Sequence, residues 1–144
     1  MEMIQKEMCN NRVKRHRGMT LIEILIAVVI IAVLTSIAYP SYTQHVTQSH
    51  RQSAKADMLK IQLLLEKGYT SGYSTNEVLS GGLCLVCDTD SQRYDIDITI
   101  SGSQYSISAT PLATRGQNKD KCNGSRYSEL TLNQAGQAEP SECW

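Results

Sequence analysis

The apolar residues divide the chain sharply. From Met19 to Ala38 nearly every position is apolar, and Glu23 carries the only charge. Twenty residues in a helix extend about 30 Å, enough to cross the hydrocarbon core of a bilayer. Thr43 to Ser53 is then dominated by polar residues, among them His45, His50 and Arg51. Apolar positions return at helical spacing at Ala54, Met58, Ile61 and Leu65, with Leu64 widening the same face. Pro40 removes one backbone donor and is expected to kink this helix rather than end it. Lys67 favours the negative end of the helix dipole, and Gly68 suits the position after a helix. The pattern predicts one helix over Met19–Lys67, about 70 Å long. One half is an anchor; the other is amphipathic and has a face to bury.

A different period follows. Tyr69 to Gln92 reads as a loop, punctuated by Gly72, Gly81 and Gly82. Tyr94 to Ile100 alternates strictly, placing Tyr94, Ile96, Ile98 and Ile100 on one face and Asp95, Asp97 and Thr99 on the other. Ser101-Gly102-Ser103 turns the chain, and Gln104 to Thr110 returns with Tyr105, Ile107 and Ala109 inward until Pro111 ends the strand. Glu129 to Asn133 supplies a third strand through Leu130 and Leu132. The expected class is α+β: a long N-terminal helix packed on a small antiparallel sheet. The expected divisions are a leader over 1–18, the helix over 19–68 with its membrane part at about 19–39, and a globular head over 69–144.

Charge adds a direction. The chain carries 14 basic and 14 acidic residues. Lys6, Arg12, Lys14, Arg15 and Arg17 precede the apolar run, against Glu2 and Glu7. Basic residues ahead of a membrane segment hold that end in the cytoplasm, so the remainder is expected on the far side. Without residues 1–18 the chain keeps nine basic and twelve acidic residues and is net acidic. A carboxylate inside an apolar span costs at least about 2.5 kcal/mol on insertion scales, so Glu23 is read as functional.

Of five cysteines, Cys9 lies in the leader. Cys84, Cys87, Cys122 and Cys143 form an even set on the non-cytoplasmic side, which suggests disulfides. Four cysteines allow three connectivities, and spacing does not choose between them. Zinc is disfavoured because no His stands at ligand spacing near Cys84 and Cys87. Asp88-Thr89-Asp90 lacks the Gly and terminal Glu of a calcium loop. There is no Gly-rich phosphate loop and no Gly-x-Ser-x-Gly elbow, and the three His flank no nucleophile, so an enzyme is not expected.

Gly18-Met19-Thr20-Leu21-Ile22-Glu23, behind a short basic segment and ahead of an apolar helix containing Pro40, resembles the type III signal of prepilins. Met19 stands where Phe is usual. The distal pattern is Tyr105-x-Ile107-x-Ala109-Thr110-Pro111, then Cys122, Leu130-Thr131-Leu132, a turn at Gly136 and Cys143-Trp144. It resembles type IV pilins of the PilE type, many of which are minor subunits. The resemblance implies cleavage after Gly18 by a prepilin peptidase and methylation of the new terminus at Met19. It implies an assembly role for Glu23, paired with the Met19 amine of a neighbour. It also implies a Cys122–Cys143 disulfide that closes the C-terminal region; Cys84 and Cys87 are then expected to pair across a tight loop. The subunit would wait in the inner membrane with its head in the periplasm and then enter an extracellular pilus. Its partners would be major and minor pilins, the peptidase, the inner-membrane assembly machinery and the membrane itself, with no cofactor.

The leading expectation is therefore a minor pilin acting in pilus assembly or priming. An alternative is a competence pilin that holds DNA. Its motive is the segment Arg115 to Arg126, where Arg115, Lys119, Lys121 and Arg126 stand against Asp120, close to Tyr127. A second alternative is a type II secretion pseudopilin. That group shares the signal but often uses calcium where pilins use disulfides, so the cysteines count against it.

Overall fold

The computed structural model of the chain describes residues 19–144. Gly18 and the rest of the expected leader lie outside the described residues. The chain separates into two units that divide between Ala38 and Tyr39. Helix α1, Leu21–Lys67, begins in the first and ends in the second, passing through Pro40 without interruption.

In the first unit every residue from Met19 to Ala38 is exposed. Thr20 precedes the first turn, and the Glu23 amide donates to its Oγ1 at 3.3 Å. The Thr20 amide donates in return to the Glu23 carboxylate at 3.5 Å. This reciprocal pair is a capping box, which satisfies two amides that the helix start leaves free. Thr20-x-x-Glu23 is legible in the sequence, so Glu23 has a local structural use that the sequence reading overlooked.

In the second unit the amphipathic half of α1 buries Ala54, Met58, Ile61 and Leu65, as its spacing predicts. They share one core with the inward residues of an antiparallel sheet. Strands β3 (Tyr94–Ser101) and β4 (Gln104–Pro111) form a hairpin in full register from Tyr94–Pro111 to Ser101–Gln104. Gly102 takes φ +62° in its two-residue turn, a conformation that L side chains rarely adopt. Strand β7 (Leu130–Asn133) pairs with β4, and Leu130 and Leu132 are buried.

Three short strand pairings fall where the sequence suggested irregular chain. Within the expected loop Tyr69–Gln92, β1 (Leu79–Ser80) and β2 (Leu83–Cys84) form a hairpin across Gly81 and Gly82, both at positive φ. Strands β5 (Lys121–Cys122) and β6 (Ser125–Arg126) form another across Asn123 and Gly124. Strand β8 (Ala138–Glu139) extends the main sheet to four strands, in the order β3-β4-β7-β8. Two-residue strands have almost no pattern to read, but Gly-Gly and Asn-Gly are the residues such turns demand.

Disulfides join Cys84 to Cys87 and Cys122 to Cys143. The second closes the C-terminal region over a separation of 21 residues. In the chain-entropy view a loop of that size contributes about 3 kcal/mol. The tail is further held by Lys55, whose ammonium donates to the Cys143 carbonyl at 2.9 Å and lies over the Trp144 ring.

Candidate nucleic-acid interface

The basic segment leaves β4, makes a 3-10 turn at Gln117–Lys119 and enters the β5–β6 hairpin. Its one carboxylate, Asp120, is buried. Arg51 Nη1 lies 2.7 Å from Asp120 Oδ2, and Tyr127 donates its hydroxyl to the same oxygen at 2.8 Å. The Lys121 amide donates to Oδ1 at 2.9 Å. Arg51 Nη1 also donates to the Lys121 carbonyl at 3.1 Å. A buried carboxylate needs this many partners, since an unpaired charge there would cost several kcal/mol.

The network extends through Tyr127, whose hydroxyl meets that of Tyr94, and on to Gln117. Gln117 is fully buried and donates to the Tyr94 oxygen at 3.0 Å and to the Thr47 carbonyl on α1 at 2.8 Å. Burial, together with the bonds to Tyr94 and Asp120, pushes the Tyr127 phenol far above its ordinary range. Tyr127 is therefore an internal strut, not the free ring beside a basic patch that the sequence suggested. Arg51, read as part of a wet helix face, is buried for the same reason.

Pulling Asp120 inward leaves the cations outside. Lys119, Lys121 and Arg126 are exposed, and among the described residues none of them makes an ion pair. Lys121 stands directly opposite Arg126 across the β5–β6 pair. Like charges at paired positions destabilise a hairpin. Arg126 also borders an open groove lined by Glu129, Glu139 and Glu142, where the basic surface ends.

Arg115, the fourth candidate, is half exposed but engaged. Its Nε donates to Gln92 Oε1 at 2.7 Å, and its Nη1 lies 3.1 Å from Asp90 Oδ2. The segment carrying Gln92 and Asp90 is itself tied to α1. The buried Asp57 carboxylate accepts the Thr89 amide at 2.7 Å, the Asp88 amide at 3.0 Å and the Thr89 hydroxyl. The Asp88-Thr89-Asp90 run thus serves helix anchoring through its amides and cation pairing through its carboxylates, Asp88 with Lys60 and Asp90 with Arg115. Arg93, half-buried beside Arg115, belongs to the same surface and was missed because it reads as the residue before a strand.

Comparison with known proteins places these observations. The family described as type IV minor pilin ComP, DNA uptake sequence receptor, matches residues 40–126, more than half of the chain. The prokaryotic N-terminal methylation motif matches residues 13–39. The high-resolution structure of a type IV pilin from Shewanella oneidensis covers 68% of this chain and 97% of its own. At 21% identity and a TM-score of 0.51, that likeness shows the shared fold. Pilins are structural subunits rather than enzymes, and the methylation motif with its exposed apolar helix fits a membrane-anchored one. The chain belongs to the ComP family of type IV minor pilins.

Proposed function

We propose that this minor pilin holds DNA through Lys119, Lys121, Arg126 and Arg115. The observation that carries the reading is the burial of Asp120 against Arg51, which strips the segment's outer face of negative charge in a head that is net acidic. The Lys121–Arg126 pairing supports it, since an exposed hairpin gains nothing from opposed cations unless an anion lies across them. The description of the matching family as a DNA uptake sequence receptor agrees. A protein binding through four such phosphate contacts should show log affinity falling with log salt at a slope of about −3.6. Detergent-solubilised protein titrated with labelled duplex over a salt series measures this; a flat or undetectable response removes the DNA reading.

The proposed route to that function begins at the N-terminal segment. The leader 1–18 is cut after Gly18 by the prepilin peptidase, which methylates Met19. Residues 19–39 hold the subunit in the inner membrane with its head in the periplasm. The assembly machinery then moves it into a pilus among major and minor subunits. In the filament Glu23 leaves its capping box and pairs with the Met19 amine of a neighbour. At about 4 Å and an effective dielectric near 20, that attraction is of order 4 kcal/mol. Mass spectrometry should find a chain starting at methylated Met19 in the parent and a chain cut at the same place in Glu23→Ala. The Glu23→Ala subunit should reach sheared pili several-fold less often, relative to its membrane level. An intact Met1 terminus would count against the cleavage site, and normal incorporation of Glu23→Ala against the registering role.

A further inference from the structure

We propose that the cavity between the β5–β6 hairpin and the C-terminal tail takes one unstacked cytosine of single-stranded DNA, and that Glu142 selects it. The proposal rests on the DNA reading above and adds a base site beside the phosphate contacts.

The cavity measures about 150 Å3, and its walls are fixed. Cys122 and Cys143 both line it, and their disulfide ties the hairpin to the tail at that point. Tyr127 lines it too, while its hydroxyl donates to the buried Asp120 at 2.8 Å, so the ring is held in place. Pro140 adds a further apolar wall with a restricted backbone. A cavity of about 150 Å3 takes a benzene ring, so one six-membered base fits it where a fused purine is oversized. Walls that need no ordering when the base enters lower the cost of binding.

The polar groups choose between the pyrimidines. Glu142 and Asn123 line the same cavity, and both are exposed. Glu142 makes no ion pair among the described residues. A carboxylate can only accept a hydrogen bond. Cytosine offers it the N4 amino group, whereas thymine presents O4, another acceptor. Asn123, held at φ 48° in the hairpin turn, carries the amide donors that the ring acceptors of cytosine need. Thymine set against Glu142 leaves two acceptors facing each other without a proton between them, which is costly once water is displaced.

The cations bring the strand to this cavity. Arg126 lines it and stands directly opposite Lys121 across the hairpin. A strand whose phosphates cross that pair carries its bases past the cavity. In a duplex the base must first be unpaired and unstacked, and the cost is least where the strand is already single. The site therefore suits single-stranded segments and frayed ends.

The test uses detergent-solubilised protein with labelled oligodeoxycytidine and oligothymidine of equal length, which carry the same phosphate charge. The parent should bind the cytidine oligomer roughly tenfold more tightly, with equal salt slopes for the two. Glu142→Gln should bring the ratio to within about twofold, because an amide can turn its donor toward thymine O4. Glu139→Gln changes a carboxylate of the neighbouring groove that does not line this cavity, and should keep the ratio. A ratio between two ligands is not mimicked by partial unfolding or by a change in net charge. Equal binding of both oligomers by the parent, or a Glu142→Gln protein that keeps the preference, overturns the cavity proposal and leaves the DNA reading standing. If the parent binds no DNA, the DNA reading falls and the cavity is judged with cytidine monophosphate alone. The side-chain amide signals of Asn123 should then shift in NMR with cytidine monophosphate and not with thymidine monophosphate. Unmoved signals overturn the cavity proposal as well.

Discussion

Replacing Lys119, Lys121 and Arg126 together by Gln is expected to weaken DNA binding on the order of a hundredfold at about 50 mM salt and to flatten its salt dependence. Each phosphate contact releases counterions worth about 0.9 in the log–log slope, so three contacts account for about −2.7. The loss should come without loss of folding. All three side chains are exposed, and no ion pair among the described residues uses them. Removing the cross-strand repulsion between Lys121 and Arg126 should even stabilise the hairpin, by about 0.2–1 kcal/mol. Falling affinity with equal or rising thermal stability separates this outcome from simple damage. Fluorescence anisotropy over a salt series, with a melting curve of the same preparation, provides both readings. An unchanged slope would place the contact surface elsewhere.

Arg51→Met should destabilise the head by about 3–5 kcal/mol. The substitution removes the guanidinium 2.7 Å from Asp120 and leaves a buried carboxylate with only the Tyr127 hydroxyl and the Lys121 amide. For a domain of this size that corresponds to a melting temperature lower by about 10 °C or more. Arg51→Met combined with Asp120→Asn should recover much of the loss, because a neutral amide tolerates burial with two hydrogen bonds where a carboxylate does not. The single variant should also bind DNA less well. An Asp120 that turns out to water restores a negative charge beside Lys119 and Lys121. Thermal unfolding of the two variants and the parent decides it; an unchanged melting temperature in Arg51→Met would show that the pair does not hold the loop.

Much of the architecture was legible because it depends on periodicity. The apolar run from Met19, the 3.6-residue spacing from Ala54 to Leu65 and the alternation from Tyr94 to Ile100 each specify an element without reference to the rest of the chain. The methylation motif and Glu23 were visible as a local order of residues. So were the basic residues between Arg115 and Arg126 and the even set of cysteines, whose expected pairs Cys84–Cys87 and Cys122–Cys143 both form although spacing alone left the pairing open. The short hairpins β1–β2 and β5–β6 were obscured by strands of two residues, although Gly81-Gly82 and Asn123-Gly124 were present as turn signals.

The sequence by itself determined which charges the basic segment holds; only the tertiary structure decided which of them face water. Arg51 and Asp120 stand 69 residues apart, and Asp57 meets Thr89 across 32. Nothing local marks a charged residue as buried, because burial of a charge depends on a partner that arrives from elsewhere in the chain. Read in order, Asp120 offsets its basic neighbours, Tyr127 offers them a ring, and His50 is one more polar residue on a wet helix. Once α1 packs on the sheet, Arg51 withdraws Asp120 and Tyr127 becomes a strut beneath it. The cations of the segment are then left outside, because the low dielectric of the interior makes an unpaired carboxylate costly and so fixes which charge turns inward.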